Sequence, residues 1–128
     1  MKSHAFSQLI SIIHSMVIEG RCPWSREQSL LSIVEHILQE CQEFHEAVLQ
    51  GKTAKDIGSE AGDIITLSII LCFLLEREEL LAFGDVANGA IEKLRRRAPY
   101  LFSKSNEPVS LEEADRLWEL AKHLEKNE

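Results

Sequence analysis

From Ile64 to Leu75 the chain reads IITLSIILCFLL, and two acids, Glu60 and Asp63, stand directly ahead of it. Only Thr66 and Ser68 interrupt the apolar run, so the segment has to be buried around most of its circumference. A carboxylate without a partner at the edge of such a segment costs several kcal/mol. Any fold open to this chain must bury the run and answer those acids together.

The bulk numbers narrow the choice. A chain of 128 residues predicts one domain spanning 1–128, long enough to build a core. With only 3 Pro and 6 Gly, most of it can be helical. The net charge of −7 disfavours a nucleic acid polymer as partner, because a polyanion is repelled overall. A small anionic ligand remains open, since a local basic cluster or a bound cation reverses the field at one point. Cys22, Cys41 and Cys72 are odd in number and form no C-x-x-C pair, which fits a reducing compartment. The N-terminus lacks a signal-peptide core, and an apolar stretch of about 12 residues is short of the roughly 20 that span a bilayer. The expected location is cytoplasmic, without a membrane.

Periodicity predicts an all-α antiparallel bundle of about five helices. Phe6, Leu9, Ile10, Ile13 and Val17 fall on one helical face, and Gly20 ends that helix. "CPWS" reads as a rigid connector. "SREQ" then reads as a capping box, with Ser25 as cap and Gln28 reaching back, opening a second helix from Glu27 to Gln50. Gly51 closes it. Thr53 caps a third helix that runs through the apolar stretch to Arg77. A fourth covers Asp85 to Ala98, "PYLFSKSNEPV" is a loop, and Ser110 caps a last helix that reaches Lys126. No segment alternates as a strand.

At about 100° per residue, with Ile33 at zero, Phe44 falls near 20° and Ile37 near 40°. Glu40 then lies near −20°, within the apolar arc, and Glu43 near −80° on its flank. On the third helix Glu60 shares a side with Ile64, Leu67 and Leu71, and Asp63 aligns with Leu67, Ile70 and Leu74. Each helix therefore carries an acidic pair at i, i+3 on a face that also packs. Two such helices can bring four carboxylates together, and these either share protons or hold a cation. Oxygen ligation suits Mg²⁺ or Mn²⁺ better than zinc. The competing account is four solvated acids on a bundle rim. A di-iron centre loses its support, because no Glu here is followed by His at i+3. Gly62, inside the predicted helix, is read either as a point of close approach or as a neutral packing position.

"CPWSREQ", "LQECQE", "SEAGD", "KLRRRAPYLF" and "RLWELAK", in this order and spacing, resemble the MazG-type nucleoside triphosphate pyrophosphohydrolases. The resemblance covers roughly Cys22 to Lys122. It implies that Glu40, Glu43, Glu60 and Asp63 are Mg²⁺ ligands, with Mn²⁺ a possible substitute. It also implies hydrolysis of a nucleoside triphosphate to monophosphate and pyrophosphate; one of the carboxylates, with Glu43 the first candidate, would orient or deprotonate the water. Gln39 stands where the family usually has a further Glu, a departure that bears on metal affinity and on activation of that water.

Lys93, Arg95, Arg96 and Arg97 form the dense basic cluster of this acidic chain. Lys93, Arg96 and Arg97 share a side, and arginine forks suit phosphate oxygens. A solvated helix C-terminus, where cations are favoured, explains the same residues. The resemblance assigns Lys93, Arg96 and Arg97 to the triphosphate. Trp24 and Trp118 are each read as core anchors or as stacking platforms for a base, and the resemblance favours Trp118. His36, one turn before Glu40, is read as a supporting neighbour or as an ordinary histidine. A third helix apolar nearly all round leaves surface for a second copy, so a homo-oligomer, dimer or tetramer, is expected. Two other functions compete: a helical interaction module with reduced catalysis, marked by Gln39, and a pyrophosphohydrolase for another substrate such as dUTP or phosphoribosyl-ATP.

Overall fold

The structure, a computed structural model, describes residues 2–127, and among them there are six α-helices and no strand. They are α1 (Lys2–Val17), α2 (Pro23–Arg26), α3 (Leu30–Leu49), α4 (Ala54–Arg77), α5 (Phe83–Arg97) and α6 (Leu111–Lys126). Gly20 and Gly51 both take positive φ, at 68° and 66°, and turn the chain out of α1 and α3. Thr53 Oγ1 accepts the Asp56 N–H at 3.2 Å, and Ser110 Oγ accepts the Glu113 N–H at 3.1 Å, so both expected caps form.

The segment around Trp24 departs from expectation. Instead of a connector, "PWSR" is a helical turn with Pro23 at its start and the Cys22 thiol as cap, accepting the Ser25 N–H at 3.4 Å. Ser25 is fully buried and caps nothing. The cap of α3 moves to Ser29, which exchanges bonds with Ser32 at 2.9 and 3.0 Å. Gln28 turns elsewhere: its amide donates to the Trp24 carbonyl and its oxygen accepts from the Ser32 hydroxyl. Two hydroxyls spaced by three residues close the box more compactly than Ser25 and Gln28 could. Further on, α5 begins at Phe83 rather than Asp85, because the Glu76 carboxylate accepts the Phe83 N–H at 2.9 Å. Pro99–Phe102 forms a 3-10 turn where a loop was expected.

The chain divides into two compact units, one ending at Phe83 and the other starting at Gly84. In the first, α4 packs against both α1 and α3. Its core joins Ile13 and Val17, Ile33, and Ile69, Ile70, Phe73 and Leu74. Each such side chain contributes roughly 1.5–3 kcal/mol by leaving water. By length and composition α4 could cross a bilayer, an 18-residue window of it having a mean hydropathy of 1.7, which exceeds the expectation drawn from its unbroken run alone. Its buried face is instead taken up by α1 and α3. In the second unit, Ala98 and Ala121 are buried, and the Arg97 guanidinium lies over the Trp118 ring at 5.4 Å.

Candidate functional site

The register that puts Ile33 in the core carries Glu40 two turns further along the inner side of α3. The register that buries Ile70 and Leu74 likewise aims Glu60 and Asp63 from the first half of α4. The two helices thus converge three acids: Glu40, Glu60 and Asp63 each offer a carboxylate oxygen within 4.8 Å of the others. Glu40 and Glu60 are half-buried and Asp63 is exposed. Glu40 Oε2 and Glu60 Oε2 are both shut off from water and have no hydrogen-bond donor. A buried anionic oxygen without a donor is the costly arrangement that a cation resolves.

Glu40 expresses that cost directly. Its carboxyl is pushed up to about 7, first by burial, then by the neighbouring Glu43 carboxyl, then by the charges of Asp63 and Glu60. Glu43 is itself exposed and stands beside Glu40 rather than within the close trio. It lines a cleft of about 390 Å³ at the α3–α4 turn together with Glu60, Ser59, Asp56 and Lys52. Gln39 is exposed and lies outside the trio. A Cβ at Gly62 would meet nothing within 4 Å, so no helix presses close there.

On the other flank of the trio, Glu40 and Asp63 line a smaller cleft of about 240 Å³ with Trp24, His36, Thr66 and Leu67. The Trp24 and His36 rings meet edge to face at 5.3 Å. Nothing in the local sequence couples Trp24 to the acids; the α2 turn and the packing of α3 bring them to one cleft.

The basic cluster and Trp118 belong to the second unit. Arg97 is mostly buried, stacked on Trp118, and donates from two nitrogens to the Glu125 carboxylate at 2.8 and 3.3 Å. Arg96 donates its Nε to the same carboxylate at 3.3 Å and is otherwise half exposed. The hydrogen bond from Arg97, joined by Arg96, holds Glu125 below the usual carboxylate range. Lys93 is exposed, and Arg95 leaves this group to lie over Phe102 at 4.4 Å. Of the four cations Arg97 is the most committed; Lys93 is exposed, and Arg95 and Arg96 each pair through Nε, with Glu92 at 3.5 Å and Glu125 at 3.3 Å, leaving their terminal nitrogens for other partners.

The family model described as MazG nucleotide pyrophosphohydrolase domain matches residues 28–102, which hold all four acids and the basic cluster. YabN of Bacillus subtilis, described as an uncharacterized protein, is 32% identical over 126 residues, 97% of this chain and 25% of its own length. The nucleoside triphosphate pyrophosphohydrolase of Escherichia coli K12 is 30% identical over 108 residues, 84% of this chain and 40% of the relative. The chain thus spans a quarter to two fifths of these relatives. A crystal structure of a mazG-related protein from Thermotoga maritima superposes with a TM-score of 0.78 at 29% identity, covering 91% of this chain and 98% of that one.

Proposed function

The chain belongs to the MazG nucleotide pyrophosphohydrolase family, and from that premise we propose that it hydrolyses a nucleoside triphosphate between the α and β phosphates. The products are the nucleoside monophosphate and pyrophosphate, and the role is housekeeping of the nucleotide pool in the cytoplasm. The observation that carries this reading is the pair of buried, donorless oxygens on Glu40 and Glu60 within a trio completed by Asp63. An all-oxygen set of this kind fits Mg²⁺, with Mn²⁺ as substitute. Glu40, Glu60 and Asp63 would hold it, with Glu43 completing the set from the flank. An ion held there would supply charge neutralisation for the phosphates and a lowered pKa for a bound water.

The side chains then divide the work. Glu43, exposed beside the trio with its carboxyl next to that of Glu40, orients the attacking water and receives its proton on this reading. Lys93 and Arg96 contact the polyphosphate through the donors they have to spare, and offset the charge that develops on it. Arg97 contributes more by holding Arg96's neighbour Glu125 in place than by a free fork of its own. Trp118 is committed to Arg97, so the base platform falls to Trp24, whose ring lines the cleft shared with Glu40 and Asp63.

The working unit is a homo-oligomer on this reading. Leu31, Val34 and Leu38 of α3 are exposed at 71%, 38% and 65%, a row of aliphatic side chains at helical spacing on one element. Light scattering behind size exclusion should return a multiple of 14.5 kDa, and an active monomer would refute it.

The decisive experiment is a panel of ribo- and deoxynucleoside triphosphates, dUTP and phosphoribosyl-ATP among them, assayed with Mg²⁺ and with Mn²⁺. Pyrophosphate and orthophosphate must be resolved. Metal-dependent pyrophosphate release from at least one nucleotide is expected. Absence of release across the panel would leave a helical module without this chemistry.

A further inference from the structure

Trp24 lines the cleft with Glu40 and Asp63, yet its own packing does not hold it: the residue is 42% exposed, with the edge of His36 as its aromatic contact. The turn that carries it, α2, is four residues long, too short to be stable alone. What fixes α2 therefore fixes Trp24. The backbone around it is fastened from a distance of fifty residues. Arg77, the last residue of α4, donates Nη1 to the Ser25 carbonyl at 3.0 Å and Nη2 to the Gln28 carbonyl at 2.7 Å. These oxygens sit at the exit of α2, and Gln28 in turn donates its side-chain amide to the Trp24 carbonyl at 3.3 Å. The fork spans two carbonyls that no single-point cation could hold in register.

We propose that Arg77 is a positioning residue for substrate: by clamping the Ser25 and Gln28 carbonyls it sets where Trp24 stands over the cleft lined by Glu40 and Asp63. Arg77 lies 14 residues beyond Asp63 along the same helix. It touches no acid of the trio, so it acts on the nucleoside end and leaves the metal end alone. This inference rests on the reading that Trp24 is the platform for the base.

The test uses Arg77→Lys, which keeps the charge but loses the fork, and Arg77→Gln, which keeps one planar donor. In a Trp118→Phe background Trp24 is the single indole. There, both variants should lower the indole's fluorescence anisotropy and raise its acrylamide quenching by about twofold. In the full chain they should raise KM for the preferred nucleoside triphosphate by about tenfold, equivalent to about 1.4 kcal/mol of weakened base contact. Turnover at saturation and Mn²⁺ affinity without nucleotide should stay within about twofold of the parent on the same grounds. Unchanged anisotropy and quenching would overturn the proposal, as would a fall in kcat at constant KM. So would failure of both variants to fold, which would make Arg77 a general stabiliser. The indole measurement needs no turnover, so it decides the part of Arg77 even if the wild-type protein hydrolyses nothing in the panel.

Discussion

The two ends of α4 handle charge in opposite ways. At its C-terminal end Arg77 spends its fork on the Ser25 and Gln28 carbonyls, and Glu76 accepts the Phe83 N–H. Each charge there meets a protein partner and fastens a neighbouring segment. At its N-terminal half Glu60 and Asp63 face Glu40, and two oxygens of the trio lack any donor. The fold satisfies charge at one end of the helix and leaves two oxygens without a donor at the other, which is where the proposed function seats a cation. The contrast separates structural charge, where removal costs stability, from functional charge, where removal relieves strain and costs activity.

The largest expected effect breaks the unsatisfied end. Glu40→Gln, Glu60→Gln and Asp63→Asn should each lower kcat/KM by about a hundredfold or more, because an amide is a poor ligand for a hard cation. The same variants should melt no lower than the wild type without metal, since each removes one term of the carboxylate repulsion. Adding Mg²⁺ or Mn²⁺ should raise the wild-type melting temperature, by the equivalent of about 2.7 kcal/mol at a hundredfold excess over Kd, and should do much less for the variants. Differential scanning fluorimetry with and without EDTA reads both. Variants that melt lower and stay active would turn the comparison upside down.

Much of this contrast was legible before any coordinates. The 3.6-residue period set the registers of the two long helices, and those registers brought Glu40, Glu60 and Asp63 together, although Asp63 is exposed rather than packed. The caps at Thr53 and Ser110 were equally plain, because a cap is a local bond between residues three apart. What could not be read were the bonds of long sequence separation. Arg77 with Gln28, Arg97 with Glu125, and Trp24 with His36 join residues that no local period relates. The α2 turn was missed for a related reason: a four-residue helix has no period to detect, and its cap is a thiol rather than a hydroxyl. The basic cluster illustrates the limit most clearly. Its four cations look alike in sequence, and only their contacts separate Arg97, bound twice to Glu125 and stacked on Trp118, from the more exposed Lys93, Arg95 and Arg96.

A smaller effect sharpens the comparison through pH. Glu40 titrates near 7 in the folded protein, above the ordinary carboxylate value near 4.5, so folding favours its protonated form. Its contribution is complete at low pH and is lost as pH rises through about 7. Without metal, the melting temperature should therefore fall between about pH 5 and pH 8, and Glu40→Gln should flatten that fall. Metal binding requires the ionised carboxylate, so Mn²⁺ affinity should climb across the same window and level off above it. Calorimetric titration near pH 6 in buffers of different ionisation enthalpy should report release of about one proton per ion bound. A proton count of zero would mean that Glu40 is already ionised and the crowding of the trio is weaker than its geometry indicates.

The smallest effect concerns the space over the acidic end. Gly62 lies between Glu60 and Asp63 inside α4, where glycine is about 1 kcal/mol less favourable than alanine. Its carbonyl accepts the Thr66 hydroxyl at 2.9 Å, a bond that an added methyl leaves in place. With nothing within 4 Å of the Cβ position, Gly62→Ala meets no steric objection from the protein. On helix propensity alone it should raise the metal-free melting temperature by about 3–5 °C in a chain of this size. Around the helix, however, Gly62 stands about 160° from Glu60 and about 100° from Asp63, and it lines neither of the two clefts beside the acids. The expected outcome is a more stable protein whose kcat/KM stays within about twofold of the parent. An alanine variant that gains stability but loses kcat/KM severalfold would show that substrate crosses the Gly62 side of α4.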